Sequence, residues 1–533
     1  MFIDARHLED RSETRCEVCI IGAGAAGISV ARKLRGRGFK VCVLEGGGLD
    51  PDTKSQALYD GEICGHPYFA LDSCRVRCFG GTTDQWAGYC WPMQPPTFDE
   101  RPWIPYSGWP IGQSDLAPYH DEAAELLGFP RKGWSPEAGW ELSEWENTFG
   151  EYRVPFSTEY FRQLSTLVNP LRMGVVFRND FARAGNVDVF LRANAVELEA
   201  TQAGNLVRRC RVQTLEARTL YFTARYFVLA AGGIENPRLL LLSDRVHREG
   251  LGNRNDLVGR FFTDHATVPI GAIQVAEPDA PFELYIRYKN RPALGEIDHV
   301  VTILATEAAQ AEFELVPIWI RLLPKLEEFW RSKGPLSLKE IRLSLSNRTF
   351  PGDFYGHIRN VLTDLGSVAR LFHARAAYDG HSYEGIDVQA GFAPAPNRDS
   401  RIMLSEAIDA LGLRKAKLDW RLSEIDYRSI VWLSKRFALE VDTTGFGRMK
   451  IALGDDLSWT EQIRGNRHHV GTTRMGVAPQ DGVVDRNCRV FGVDNLYITG
   501  SSVFPTSGAG APTLTIIALA HRLADHLSTL LAS

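Results

Sequence analysis

The run CEVCIIGAGAAGISVARKLRGRGFKVCVLEGGG, residues 16–48, constrains the fold more than any other stretch. Cys16 to Ile21 reads as a buried parallel strand, Ala25 to about Arg35 as a helix, and Val41 to Glu45 as a second strand. Gly22, Gly24 and Gly27 form GxGxxG on the strand-to-helix turn. A chain must turn tightly there and let a pyrophosphate approach backbone N–H groups at a helix N-terminus. Glu45 closes the second strand 18 residues beyond Gly27, placed to accept hydrogen bonds from adenosine ribose hydroxyls. The pattern therefore reads as a dinucleotide site rather than as glycines serving only a turn.

Two later segments repeat the strand-to-glycine theme. In ARYFVLAAGGIENPRLLLLS, an apolar strand from Phe227 to Ala231 meets paired glycines, and a helix opens near Pro237. In NLYITGSSVFPTSGAGAPTLTIIALAHRLADHL, a strand, a Gly/Ser-rich turn and a helix follow one another. Three such segments so far apart imply an α/β chain (α+β overall). Its Rossmann-type domain is built from discontinuous pieces, 14–268 and 466–533, around an inserted substrate-binding domain, 269–465, with a mixed sheet and helices. A helical, charge-bearing stretch is expected from Ser337 to Ala377. An NAD enzyme would complete its site within one contiguous half, so the returns at Ala230–Gly233 and Ile498–Ser502 favour a long FAD. With no second GxGxxG for a nicotinamide, electrons enter from the substrate.

Composition excludes other classes. The 533 residues carry a formal net charge of −5 and no basic run, so no nucleic-acid partner is expected. The polar N-terminus argues against a secretory signal, and no stretch approaches the ~18 apolar residues of a membrane span. Glu314 to Trp330 is amphipathic but interrupted by Pro317 and Pro324, and is read as a helix packed on the domain rather than facing a membrane. Nine scattered cysteines point to a reducing, cytoplasmic location. Cys64, His66, Cys74 and Cys78 match no zinc-knuckle spacing, so no metal is expected.

These segments resemble the glucose-methanol-choline (GMC) family of FAD-dependent alcohol oxidoreductases, especially its bacterial, sugar-oxidising, pyranose oxidase-like branch. The resemblance rests on GAGAAG with Glu45, FGGTTDQWAG (79–88), GWPIGQSDLAPYH (108–120), VLAAGGIENPRLLL, LVGRFFTDHA (257–266), PNRDSRIMLSEAIDALGL (396–413), and HHVGTTRMG through NLYITGSSVFPTSGAGAPTLT. It implies oxidation of a CH–OH group to a carbonyl, with hydride transfer to flavin N5. The substrate would be a small-molecule alcohol, a sugar, glycoside or amino-sugar before an aliphatic one, and the electron acceptor oxygen or another species. The family's base, a histidine in HxxGT, falls on His468, and alternation along an extended segment turns His469 away. The cofactor-binding set is Gly22, Gly24, Gly27, Glu45, Gly81, Thr82, Trp86, Val196, Ala231, Gly232, Gly500, Ser501, Pro512 and Thr513. Pro512 is expected at the first position of a helix whose N-terminus faces the negative charge developing near flavin N1 and C2=O.

Two positions depart from the family pattern. Ala511 stands where a second polar catalytic residue, histidine or asparagine, is usual. Gln85 stands where some sugar oxidases tether FAD through histidine, so FAD is expected to be non-covalent. His265, in TDHA, matches a family position whose role is either catalytic or structural. Two further readings stay open: a flavin-dependent thiol/disulfide oxidoreductase using Cys74 and Cys78, and a flavin-binding protein impaired by Ala511.

Overall fold

The strand Glu13–Ile21 sits in the middle of a sheet because its last four residues are buried on both faces. Only a parallel strand covered on both sides tolerates such an unbroken apolar run. It pairs in parallel with Val41–Glu45 on one side and Thr219–Leu229 on the other. Val187–Leu191 and Phe2–Asp4 extend the parallel set outward, and Leu496–Ile498 also pairs with Thr219–Leu229. Antiparallel strands Val207–Gln213 and Asn194–Ala200 complete this sheet. The computed structural model describes residues 1–129, 156–157, 159–276, 298–324, 332–346, 353–369, 372, 385–454 and 456–533.

A second, antiparallel sheet runs Gly447–Ile451, Ala266–Val275, Ile386–Phe392, Ile318–Pro324, Asp298–Ala305, Phe161–Val168 and Tyr89–Cys90. It draws strands from residues 89–90 and 161–168 as well as from the later part of the chain. One face packs on the helix Glu424–Thr443, whose Ile430, Leu433, Phe437 and Val441 recur at helical spacing and are fully buried. Ile318, Ile320 and Leu322 meet that core, so Trp319 and Arg321 face the opposite side.

Three expectations need correction or refinement. The Glu314–Trp330 segment is not a helix where it is described: Ile318–Pro324 is an interior strand, because its apolar residues alternate with a period of two rather than 3.6. Residues 325–330 of that segment lie outside the described residues. The helix expected near Pro237 opens five residues earlier, as Gly232–Leu242, with Pro237 inside it. Proline has no N–H to give the Gly233 carbonyl four residues back. The Thr472 hydroxyl donates to that oxygen instead, at 2.6 Å. The stretch from Ser337 to Ala377 contains parts of Lys333–Ser346 and all of Phe354–Thr363 as helices, with other parts outside the described residues. Among the described residues, no helix is long and apolar enough to cross a membrane.

Candidate active site

The glycines of the first turn divide by what surrounds them. Gly22 has φ +106°, and a Cβ there would lie 2.6 Å from the Ala230 carbonyl oxygen. A Cβ on Gly27 would lie 1.9 Å from the Gly22 oxygen, so Gly27 exists to let helix and strand close on one another. Gly24 differs: its Cβ would meet no protein atom within 4 Å. It faces open space, the position through which a ligand approaches the backbone. Glu45 accepts from the N–H groups of Ala23 (3.1 Å) and Gly47 (2.7 Å), tying its strand to the turn.

The C-terminal ends of the parallel strands converge on a cavity of about 420 Å³. Its wall includes Gly22, Gly24, Glu45, Gly81, Thr82, Gln85, Trp86, Ala231, Gly232, His468, His469, Gly500, Ser501, Ala511, Pro512 and Thr513. Two predicted cofactor residues fall outside this wall. Gly27 acts through packing, as above. Val196 is buried on the strand Asn194–Ala200, and its neighbour Ala195 lines the cavity in its place. Pro512 is the N-cap of the helix Thr513–Ala532 rather than its first residue. No side chain caps that helix, so its first N–H groups are left for a ligand on the cavity side.

Three loops interlock to hold the histidines. A Cβ on Gly233 would lie 2.5 Å from the His469 carbonyl oxygen, so the AAGG segment packs directly on the His468–His469 backbone. The Ser501 hydroxyl donates to that same oxygen at 2.7 Å, and Thr473 donates to the Ser502 hydroxyl at 2.8 Å. Arg467 adopts a left-handed φ of 66°, unfavourable for a side chain with a Cβ. Asp264 secures it by accepting from the N–H groups of Arg467 (2.8 Å) and His468 (2.7 Å) and from the Tyr68 hydroxyl (2.6 Å). Burial pushes the Asp264 carboxyl up to about 6, while Tyr68 and the two backbone donors hold it down. It is therefore mainly ionised at neutral pH.

The adjacent histidines point to different surroundings. His468 Nδ1 lies 3.0 Å from His265 Nδ1, with the rings edge to face. His469 instead sits among Tyr68 and Phe262, and its buried Nε2 has no hydrogen-bond partner among the described residues. Burial lowers both imidazoles, His469 to about 3 and His468 well below 6.5. For His468 the like charges of His265, Arg321 and His469 add to the effect. Both rings are neutral at physiological pH, as a proton acceptor must be.

The second sheet completes the surroundings of this pair. Trp319 meets the His265 ring edge-on at 5.3 Å, and Gly391 opposite makes room for it, since a Cβ there would lie 2.1 Å from Trp319 Nε1. Gly510 makes similar room for Trp91. Arg321, two residues beyond Trp319, stacks over Tyr89 at 5.1 Å and has no carboxylate partner among the described residues.

Sequence reasoning missed Asp264, Tyr68, Trp319 and Arg321. Asp264 had a signal, its place beside His265 in TDHA, whereas the others lie on segments without a motif. The thiol/disulfide reading finds no support. Cys74 and Cys78 are free and buried, and burial pushes the Cys74 thiol up to about 11 and Cys78 higher still, which suppresses the reactive thiolate. Among the described residues no group of three or more His, Cys, Asp or Glu is placed to hold a metal.

Comparison with known proteins gives the same picture from outside. A GMC oxidoreductase family model matches residues 396–520, and an FAD dependent oxidoreductase model matches residues 17–249. The fructose dehydrogenase large subunit of Gluconobacter japonicus is 23% identical, over 96% of this chain and 97% of that protein. The 6'''-hydroxyparomomycin C oxidase of Streptomyces lividus is 26% identical, over 96% of this chain and 92% of that protein. Among solved structures, pyridoxine 4-oxidase from Mesorbium loti shares the fold with a TM-score of 0.58 at 17% identity, over 96% of this chain and 99% of that one.

Proposed function

The chain belongs to the GMC oxidoreductases, FAD-dependent enzymes acting on CH–OH groups, and from that premise we propose that it oxidises a hydroxyl of a sugar or glycoside to a carbonyl with His468 as base. The observation that carries the assignment is the neutral, half-buried His468 on the same cavity wall as the open Gly24 turn and the uncapped helix N-terminus at Pro512–Thr513. The residues fit FAD: Gly24 leaves open the space that a Cβ would occupy, and Glu45 retains lone pairs on the wall for ribose hydroxyls. When bound, FAD supplies the hydride acceptor. His468 takes the hydroxyl proton, and the Thr513 helix N-terminus favours negative charge beside it. Gln85 offers no ring nitrogen for a tether, which supports non-covalent binding.

The sugar assignment draws on the two relatives and on Tyr89, an aromatic side chain on the cavity wall beside which a sugar ring can stack. We assign 14–268 and 466–533 to the cofactor and 269–465 to the substrate, adding the strands Tyr89–Cys90 and Phe161–Val168 to the substrate part. Nine free cysteines favour the cytoplasm. Oxygen and other acceptors both remain compatible with this site. The test is anaerobic mixing of the yellow protein with a panel of sugars, glycosides and aliphatic alcohols. Flavin bleaching by members of the first two groups is expected, and bleaching by aliphatic alcohols alone would overturn the substrate class.

A further inference from the structure

Resting on the reading of His468 as base, we propose that His265 is a positioning residue that fixes the ring tautomer of His468, keeping hydrogen on Nδ1 and leaving Nε2 bare to take the substrate's hydroxyl proton.

The argument runs along one chain of contacts. His265 Nε2 lies 2.8 Å from the Gly508 carbonyl oxygen, which can only accept, so Nε2 carries the hydrogen. His265 is fully buried against Trp319, and that burial holds it neutral, its pKa lowered to about 4. A neutral imidazole with hydrogen on Nε2 has a bare Nδ1. The 3.0 Å contact between the two Nδ1 atoms therefore requires the hydrogen to belong to His468. His468 is neutral as well, so its one remaining nitrogen, Nε2, is the acceptor.

The far end of the chain is anchored rather than loose. Gly508 has φ +57°, and a Cβ there would lie 2.4 Å from Thr97 Oγ1, so only glycine seats the carbonyl this way. Thr506 donates to the Thr97 carbonyl at 2.8 Å and accepts from Trp109 Nε1 at 3.0 Å. Residues 506–513 thus supply both the fixed carbonyl and the helix N-terminus at the cavity. In the step itself, the substrate O–H bond breaks with its electron pair left on oxygen, and the proton bonds to His468 Nε2. The imidazolium so formed keeps its Nδ1–H donated to His265. The Ala511 side chain contributes no polar atom, so the side-chain support of the base comes through His265.

The test uses 15N-histidine-labelled protein at neutral pH together with anaerobic stopped-flow. In the wild type, His468 should show a bare Nε2 and a hydrogen-bearing Nδ1. The opposite tautomer would overturn the proposal without any variant. His265→Leu removes the acceptor and should give mixed tautomers and reduction about 10- to 100-fold slower at saturating substrate, at or below the lower end of the range for loss of a general base. Substrate affinity and FAD content should be unchanged. His265→Asn places an amide oxygen where Nδ1 stood, able to accept from His468, and should restore both tautomer and rate. Equal losses in Leu and Asn, or a rate that falls with the tautomer unmoved, would assign His265 to packing alone. Retained rate in His468→Ala would sink the base assignment itself, a result distinct from any of these.

Discussion

The glycine-lined cradle and the antiparallel sheet meet at the same cavity but are specified differently. The cradle is a matter of backbone: Gly22 and Gly27 are required by close approach of main chain to main chain, and Gly24 by space left for a ligand. The sheet face is a matter of side-chain alternation. Trp319 and Arg321 lie against His265 and Tyr89 because Ile318, Ile320 and Leu322 are claimed by the core behind them. Backbone requirements leave short, local signatures, whereas a face assembled across strands leaves none.

The sharpest way to break this division is within the cradle. Gly27→Ala drives a Cβ into the Gly22 oxygen, so it should cost about 1–3 kcal/mol of stability and most of the bound FAD. Gly24→Ala meets no protein atom and should leave the melting temperature of FAD-stripped protein unchanged while weakening FAD retention. Equal destabilisation by the two substitutions would contradict the assignment of Gly24 to the ligand.

That asymmetry also explains what could be read from the chain. The βαβ opening, Glu45 and the returns at Ala230–Gly233 and Ile498–Ser502 were legible because each pairs a strand with a turn that only small residues permit. HHVGT pointed to His468, which lines the cavity. The partnership of His265 with His468 and Gly508 was not, since it joins residues 203 and 243 positions apart. Segment 314–330 misled because prolines and mixed polarity imitate an interrupted amphipathic helix, while its decisive feature is a period of two. Val196 is buried while its neighbour Ala195 lines the cavity, a difference that strand register alone sets.

On the other side of the cavity, pH is the probe. With His468 as the proposed base, its neutral form is the active one, and burial together with His265, Arg321 and His469 holds its pKa well below 6.5. Flavin reduction by substrate should therefore stay flat from pH 8 down to 6.5, and its acid limb should lie lower, where falling pH protonates the base. An acid limb at or above 6.5 would show that the site is wetter than its burial indicates. Arg321→Gln removes one of the charges that disfavour imidazolium and should move the limb upward, towards 6.5. A downward shift would contradict this electrostatic role.

The smallest effect is expected at Ala511, which lies on the cavity wall before Pro512. Ala511→Asn adds a polar group to a small, fixed surface. If that group reached the substrate oxygen, it would speed reduction by about 1 kcal/mol of barrier. Crowding is expected instead, with higher substrate requirement and no gain at saturation. Faster bleaching at saturating substrate would show that the site lacks a partner there.

The central claim, that His468 and not its neighbour takes the proton, is tested most directly by stopped-flow reduction of His468→Ala and His469→Ala side by side under anaerobic conditions. His468→Ala should retain FAD and slow reduction by about two to four orders of magnitude, the range for loss of a general base. His469→Ala, whose ring lies among Tyr68 and Phe262, should alter stability more than rate. Equal losses in the two variants, or the larger loss at His469, would contradict the account.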